Sequence, residues 1–121
     1  MAAGAAISAL KESLAAKPGN IRAALGPSID VCCFEVDSDL AERFVAFIPS
    51  AARHAREGKP GKAYLNLRAI IRDQLVGAGV PPASIESIGP CTRCASDRYF
   101  SRRAAGGVIT GVQMSFVGLV D

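Results

Sequence analysis

Apolar residues recur at helical spacing in some stretches of the chain and form short unbroken runs in others. From Tyr64 to Val76, Leu67, Ile70, Ile71 and Leu75 fall at i, i+3, i+4 and i+8. This spacing predicts an amphipathic helix, with Asn66 as N-cap and Gly77 or Gly79 as stop. A second helix is expected over Ala5 to Ala16, with Ile7, Leu10 and Leu14 on one face, ended by Pro18-Gly19. A third, Asp39 to Phe47, places Leu40, Phe44 and Phe47 on one side, behind Asp37 and Ser38 as N-caps and before Pro49. Ile21 to Leu25 and Ala83 to Ile88 read as strands, and Phe34-Glu35-Val36 continues from a turn over Ser28 to Cys33 that Asp30 can cap. Val108 to Thr110 and Gln113 to Val120 read as a closing hairpin or a bent strand. The polar, glycine-bearing Ser50 to Lys62 reads as a solvated loop with a turn of helix around Ala51 to Arg56. Strands that partly alternate with helices predict an α+β fold, a layered αβ domain.

The length, 121 residues, argues for one domain over 1–121. Half of the residues are hydrophobic, but Trp is absent and aromatics make up 6%, so Ala, Val, Leu and Ile must fill the core. The net charge of +3 is too mild for a nucleic-acid surface, and only Arg98 to Arg103 is densely basic. Nucleic acid is not an expected partner; an RNA site on Arg98, Arg102 and Arg103 is the remotest reading. No run has the length of a membrane span, and Met1 to Leu10 lacks a basic n-region, so neither membrane nor export is expected. The adjacent Cys32 and Cys33 do not resemble a secreted disulfide framework, which points to reduced thiols in the cytoplasm. The chain opens straight into an alanine-rich helix with no cap, as expected of a domain entered part-way.

The chemistry concentrates in Gly89 to Arg103, where Cys91, Thr92, Cys94, Ser101, Arg102 and Arg103 lie in one turn-rich segment between predicted strands. Ser101, Arg102 and Arg103 form a forked donor set suited to phosphate or carboxylate. Equally, one arginine can be a solvated surface residue and the other can pair with Glu35 or Asp97. Cys91-x-x-Cys94 supplies two thiols, whereas a structural zinc takes four ligands and only Cys32, Cys33 and His54 could add to the pair. A thioredoxin-like pair would need a helix that the pattern does not give. The leading reading therefore leaves Cys32, Cys33 and Cys94 as buried or partly buried thiols, His54 as solvated, and no metal held by this chain alone. Gly26-Pro27-Ser28 is a tight turn whose backbone N–H groups could face an anion. Glu35 is a candidate base or arginine partner. No Ser-His-Asp set, P-loop or dinucleotide fingerprint is present.

Taken in order, Ile21 to Ile29, Phe34-Glu35-Val36, Leu65-Asn66-Leu67 opening a helix that ends Gln74 to Val80, Cys91-Thr92, Phe100 to Arg103, Thr110-Gly111 and Gln113 to Phe116 resemble the laccase-domain family. These YfiH-like proteins are also called multicopper polyphenol oxidases. The resemblance implies that family's layered αβ fold, of which this chain would be the C-terminal portion, a partial laccase-like domain missing its N-terminal half. It implies purine nucleoside phosphorylase activity, with adenosine deaminase and methylthioadenosine phosphorylase activities, and so purine nucleoside and phosphate as ligands. It further implies a zinc or copper site in the full-length family, built from two histidines and a cysteine. One of these opens a His-Ala-Gly-Trp-Arg-Gly motif just before the helix that Met1 to Leu14 is similar to, so no counterpart is expected here. The expected substrate or anion site comprises Gly26, Glu35, Cys91, Thr92, Ser101, Arg102 and Arg103, with no catalytic residue or metal ligand assigned. Ser28, Asn66 and Val112 depart from the family's usual Cys, acid and Arg. The expectation is of a chain inactive by itself. The alternative is a non-catalytic binding module that self-associates through an exposed sheet edge.

Overall fold

A computed structural model describes residues 2–118 and 120. Helix α1 (Ala2–Leu14) leads through a short 3-10 turn (Pro18–Asn20) into strand β1 (Ala23–Leu25). Strand β2 (Glu35–Asp37) runs into helix α2 (Ser38–Phe47), followed by a 3-10 segment (Pro49–His54) and strands β3 (Ala55–Glu57) and β4 (Lys62–Leu65). Helix α3 (Leu67–Gly77), a third 3-10 turn (Pro82–Ser84) and strand β5 (Ile85–Ser87) complete the regular elements. The strands make two small sheets: β1 and β5 pair in parallel, while β4 lies between β2 and β3 in an antiparallel sheet.

Helix α3 joins these parts. Its Asn66 cap accepts a hydrogen bond from the backbone N–H of Ala69 at 3.0 Å, satisfying a donor left open by the first turn. Ile71 and Leu75 meet Ile7, Val80 and Ile85, a cluster that also holds Ile21, Ala23 and Leu25. Leu67 meets Val36 and Leu65 of the antiparallel sheet and Ala41 of α2, and Ile70 meets Ile48 and Ala51. The 3.6-residue period thus points one helix at three apolar clusters, and these form the core.

Several sequence expectations are corrected. Helix α2 buries Ala41 and half-buries Phe44 and Val45, while Leu40 and Phe47 are 49% and 77% exposed. Ala41, Phe44 and Val45, at i, i+3 and i+4, lie on the face that packs against the clusters of Leu65 and Ile70, which are 1% exposed. The stretch Ser50 to Lys62 is largely exposed and carries the expected turn of helix as the 3-10 segment, but it is not all loop: Ala55, Arg56 and Glu57 form β3, which pairs with β4. The first two residues of the expected Tyr64 to Val76 helix, Tyr64 and Leu65, belong to β4, because Tyr64 pairs with Glu35 and Arg56 across the sheet. No strand forms among the described residues of 108–120. Val112, Met114, Phe116 and Val117 are 83–97% exposed there, without a partner ladder to hold an extended run. Leu119 and Asp121 lie outside the described residues.

Candidate functional site

Two loops run side by side because the parallel β1–β5 pair carries on beyond its strands. Ile88 donates its N–H to Leu25 O at 2.8 Å, Ser28 bridges to Cys91, and Thr92 donates its N–H to Ser28 O at 3.1 Å. Gly89, at φ 82°, makes the turn between these bonds, and a side chain there would strike Pro27. The loop after β1 is thereby laid against the loop after β5.

Arg68, on the first turn of α3, locks the two loops together. Its Nε donates to Ser28 Oγ at 3.0 Å, and its Nη2 donates to Ser28 O and Pro90 O, each at 3.0 Å. Its Nη1 donates to Gly89 O at 3.1 Å and lies 3.7 Å from Asp30 Oδ2. One turn later, Arg72 donates to Ile85 O and Pro82 O. Neither arginine was singled out in the sequence. Their shared i, i+4 face was a readable signal, but nothing local marks its target carbonyls.

A cleft of about 710 Å³ opens beside these loops, lined by Ser28, Phe34, Thr92, Ser101, Arg102 and Arg103 among others. Thr92, Ser101, Arg102 and Arg103 are thus brought together as the sequence grouped them. Arg102 Nε donates to Gly107 O at 2.7 Å. Arg103 Nη1 donates to Glu35 O at 2.6 Å, and its guanidinium lies 5.6 Å from the centre of the Phe34 ring. The arginines are therefore anchored by backbone carbonyls, and no ion pair to Glu35 or Asp97 is found among the described residues. Ser101 Oγ accepts from Ala104 N, and the Phe100 ring lies against Gly111, where a side chain would require the ring to move.

The other three expected residues lie elsewhere. Gly26 lines a second, 440 Å³ cleft with Pro27, Met114 and Phe116. Glu35 faces the antiparallel sheet, where its carboxylate accepts from Tyr64 OH at 3.0 Å. Cys91 is buried behind the cleft, where its sulfur accepts from the N–H of Asp30 at 3.4 Å.

Cys91 is also one of four clustered thiols. The sulfurs of Cys32, Cys33, Cys91 and Cys94 all lie within 4.8 Å of one another. The reading of Cys32, Cys33 and Cys94 as buried or partly buried thiols is corrected for Cys32 and Cys94, which are exposed, while Cys33 is partly buried; the cluster closes only when the two loops meet. Burial opposes ionisation of Cys91, but the backbone N–H groups of Asp30, Cys94 and Arg93 outweigh it and bring that thiol down to about 6. Cys32 is open to solvent on one side, yet burial of its inner side and its three sulfur neighbours push it up to about 12. Arg93 Nη1 reaches Cys33 Sγ at 3.6 Å.

His54 is not solvated either. It is half-buried, with Nε2 against Asp73 Oδ2, and Arg53 holds the same carboxylate. The mixed histidine–cysteine metal site of the resemblance therefore does not fit the residues present. The one histidine is engaged on α3, and the metal-capable group among the described residues offers sulfur alone.

These elements define an α+β protein whose paired loops carry a basic cleft. Residues 2–120 match the family described as multi-copper polyphenol oxidoreductase laccase, and the chain belongs to that family. It is 35% identical over 102 residues to the purine nucleoside phosphorylase YlmD of Geobacillus stearothermophilus, covering 84% of this chain and 37% of that protein. It is 42% identical over 87 residues to the adenosine deaminase RL5 of an unknown prokaryotic organism, covering 71% of this chain and 33% of that one. The chain thus spans about a third of the length of the curated relatives it matches. The fold matches the crystal structure of Bacillus licheniformis hypothetical protein YfiH with a TM-score of 0.79 and 30% identity, over 87% of this chain and 40% of that one. It matches the crystal structure of Geobacillus stearothermophilus YlmD with a TM-score of 0.76 and 31% identity, over 87% and 39%. No helix among the described residues is long and apolar enough to cross a membrane.

Proposed function

We propose that this chain supplies the phosphate- and nucleoside-holding part of a purine nucleoside phosphorylase-like site. The observation that carries the reading is the cleft where Thr92, Ser101, Arg102 and Arg103 converge. Phosphorolysis of a nucleoside needs an oxyanion held in line with the glycosidic carbon, and preorganised cationic donors supply that hold. Each of the two guanidiniums is steadied by a backbone carbonyl and also lines the cleft, so little reorganisation is needed to receive phosphate. The ligands follow from relatives named purine nucleoside phosphorylase, together with one named adenosine deaminase. Turnover by this chain alone is not expected, because its metal-capable residues do not form the mixed site that the resemblance implies.

Titration calorimetry with inorganic phosphate, alone and with inosine or adenosine, tests this reading. Wild type is expected to bind phosphate, and Arg102→Ala and Arg103→Ala are each expected to weaken binding about tenfold or more, as for a charge-assisted hydrogen bond. Phosphate binding unchanged in both variants, or absent in wild type, overturns the assignment.

A second reading, self-association, has its own observation. Among the described residues the β1–β5 sheet has two strands, and beside it Met114, Phe116 and Val117 are 86–97% exposed. A mass of one chain at all concentrations in light scattering removes it.

A further inference from the structure

The cleft leaves the four-thiol cluster behind it without a role. We propose that Cys32, Cys33, Cys91 and Cys94 form a tetrathiolate site for one thiophilic d¹⁰ ion, zinc above all, which clamps the loop after β1 to the loop after β5. The spacing is that of such a site. Zinc–sulfur bonds of about 2.3 Å arranged tetrahedrally put the sulfurs about 3.8 Å apart. Three of the sulfur separations are 3.7 Å for Cys32–Cys33, 3.7 Å for Cys32–Cys94 and 3.5 Å for Cys33–Cys94, and Cys91 Sγ lies within 4.8 Å of the other three.

The outer contacts also fit. A zinc with four thiolates carries net negative charge, which N–H donors to sulfur and a nearby cation offset. The Asp30 N–H points at Cys91 Sγ, and the Arg93 guanidinium reaches Cys33 Sγ. Arg68 presets the geometry through carbonyls of Ser28, Gly89 and Pro90, so the ligand loops are held whether or not the ion is bound. The donor set contains no nitrogen or oxygen and has no place for an open coordination position, which marks a structural ion and not a catalytic one. Thr92, between two of the ligands, lines the cleft. The clamp therefore sets the position of the proposed phosphate site without entering its chemistry.

The test uses the 121-residue chain, reduced, stripped of metal and titrated with cobalt(II) under anaerobic conditions. One equivalent is expected to give the visible absorption of tetrahedral tetrathiolate cobalt, and one equivalent of zinc is expected to bleach it. Cys94→Ser is expected to lose the tetrathiolate spectrum and to weaken zinc binding more than about 100-fold, beyond the range of an outer-contact change. Arg93→Ala should retain the spectrum and weaken binding about tenfold. Zinc should raise the melting temperature of wild type and leave that of Cys94→Ser unchanged. Cobalt that stays octahedral, binding above one equivalent, or a Cys94→Ser titration identical to wild type overturns the site. So does a reduced chain that takes up no metal. Phosphate calorimetry on the cobalt-loaded Arg102→Ala variant keeps the two ideas apart, since losing phosphate there leaves the cobalt spectrum intact.

Discussion

Arg68 on the first turn of α3 donates from Nε to the hydroxyl of Ser28 at 3.0 Å, 40 residues away in the chain. The same guanidinium also takes the carbonyls of Ser28, Gly89 and Pro90, and its side chain is 13% exposed. One planar cation thus satisfies acceptors on both loops that carry the cleft and the thiols.

Arg68→Ala leaves these acceptors without their donor and is expected to cost about 2–3 kcal/mol of stability, as for hydrogen bonds to a charged group. Arg68→Lys keeps the charge but not the fork, and should recover less than half of the loss. Urea unfolding followed by circular dichroism measures both.

The buried face of α2 and its contact with α3 can be tested by contrast. Ile70 is 1% exposed, and Ile70→Ala is expected to cost about 2–5 kcal/mol through lost burial and a cavity. Phe47, 77% exposed, should change stability by no more than about 0.5 kcal/mol on replacement by Ala. Equal losses at the two positions in chemical denaturation would show that the helix face is wrongly assigned.

Asp73 carries a pH dependence. His54 first, and Arg53 with it, hold its carboxyl below the ordinary 3.8 against the opposing effect of burial. The folded value lies below the unfolded one, so this stabilisation is complete above the unfolded pKa and is lost as pH falls through the folded value. Asp73→Asn should therefore be less stable than wild type at neutral pH. The gap should close as pH falls from about 4 through the lowered folded value. Melting temperatures recorded across that range check the sign: a gap that widens on acidification is the contrary result.

The Asn66 cap offers a smaller test. Asn66→Ala removes the acceptor for the Ala69 N–H and should cost about 1 kcal/mol, with Asn66→Asp recovering most of it. Amide exchange at Ala69 should quicken in the alanine variant alone.

Helix α3 was readable because its cap and its apolar spacing lie within one short stretch, and the stretch buries what that spacing predicts. The segment Thr92, Ser101, Arg102 and Arg103 was readable for the same reason: its polar groups are near in sequence and meet in one cleft. Glu35 and Gly26 were grouped with them, yet Glu35 serves Tyr64 and Gly26 lines a second cleft. Strand alternation alone does not say which face meets which neighbour.

By itself the amino-acid sequence determined the α+β class, the Asn66 cap and apolar face of α3, and the family, whereas Asp37 stands at the start of α2 without a side-chain cap hydrogen bond. What it determined depends on order and spacing along the chain. Only the tertiary structure decided that Cys32 and Cys33 meet Cys91 and Cys94, that His54 is held by Asp73, and that α2 buries Ala41 in place of Phe47. The physical reason is long-range closure. A parallel pairing between β1 and β5, sealed by Arg68, joins segments about 60 residues apart, and no local pattern records where such a pairing will bring two loops together.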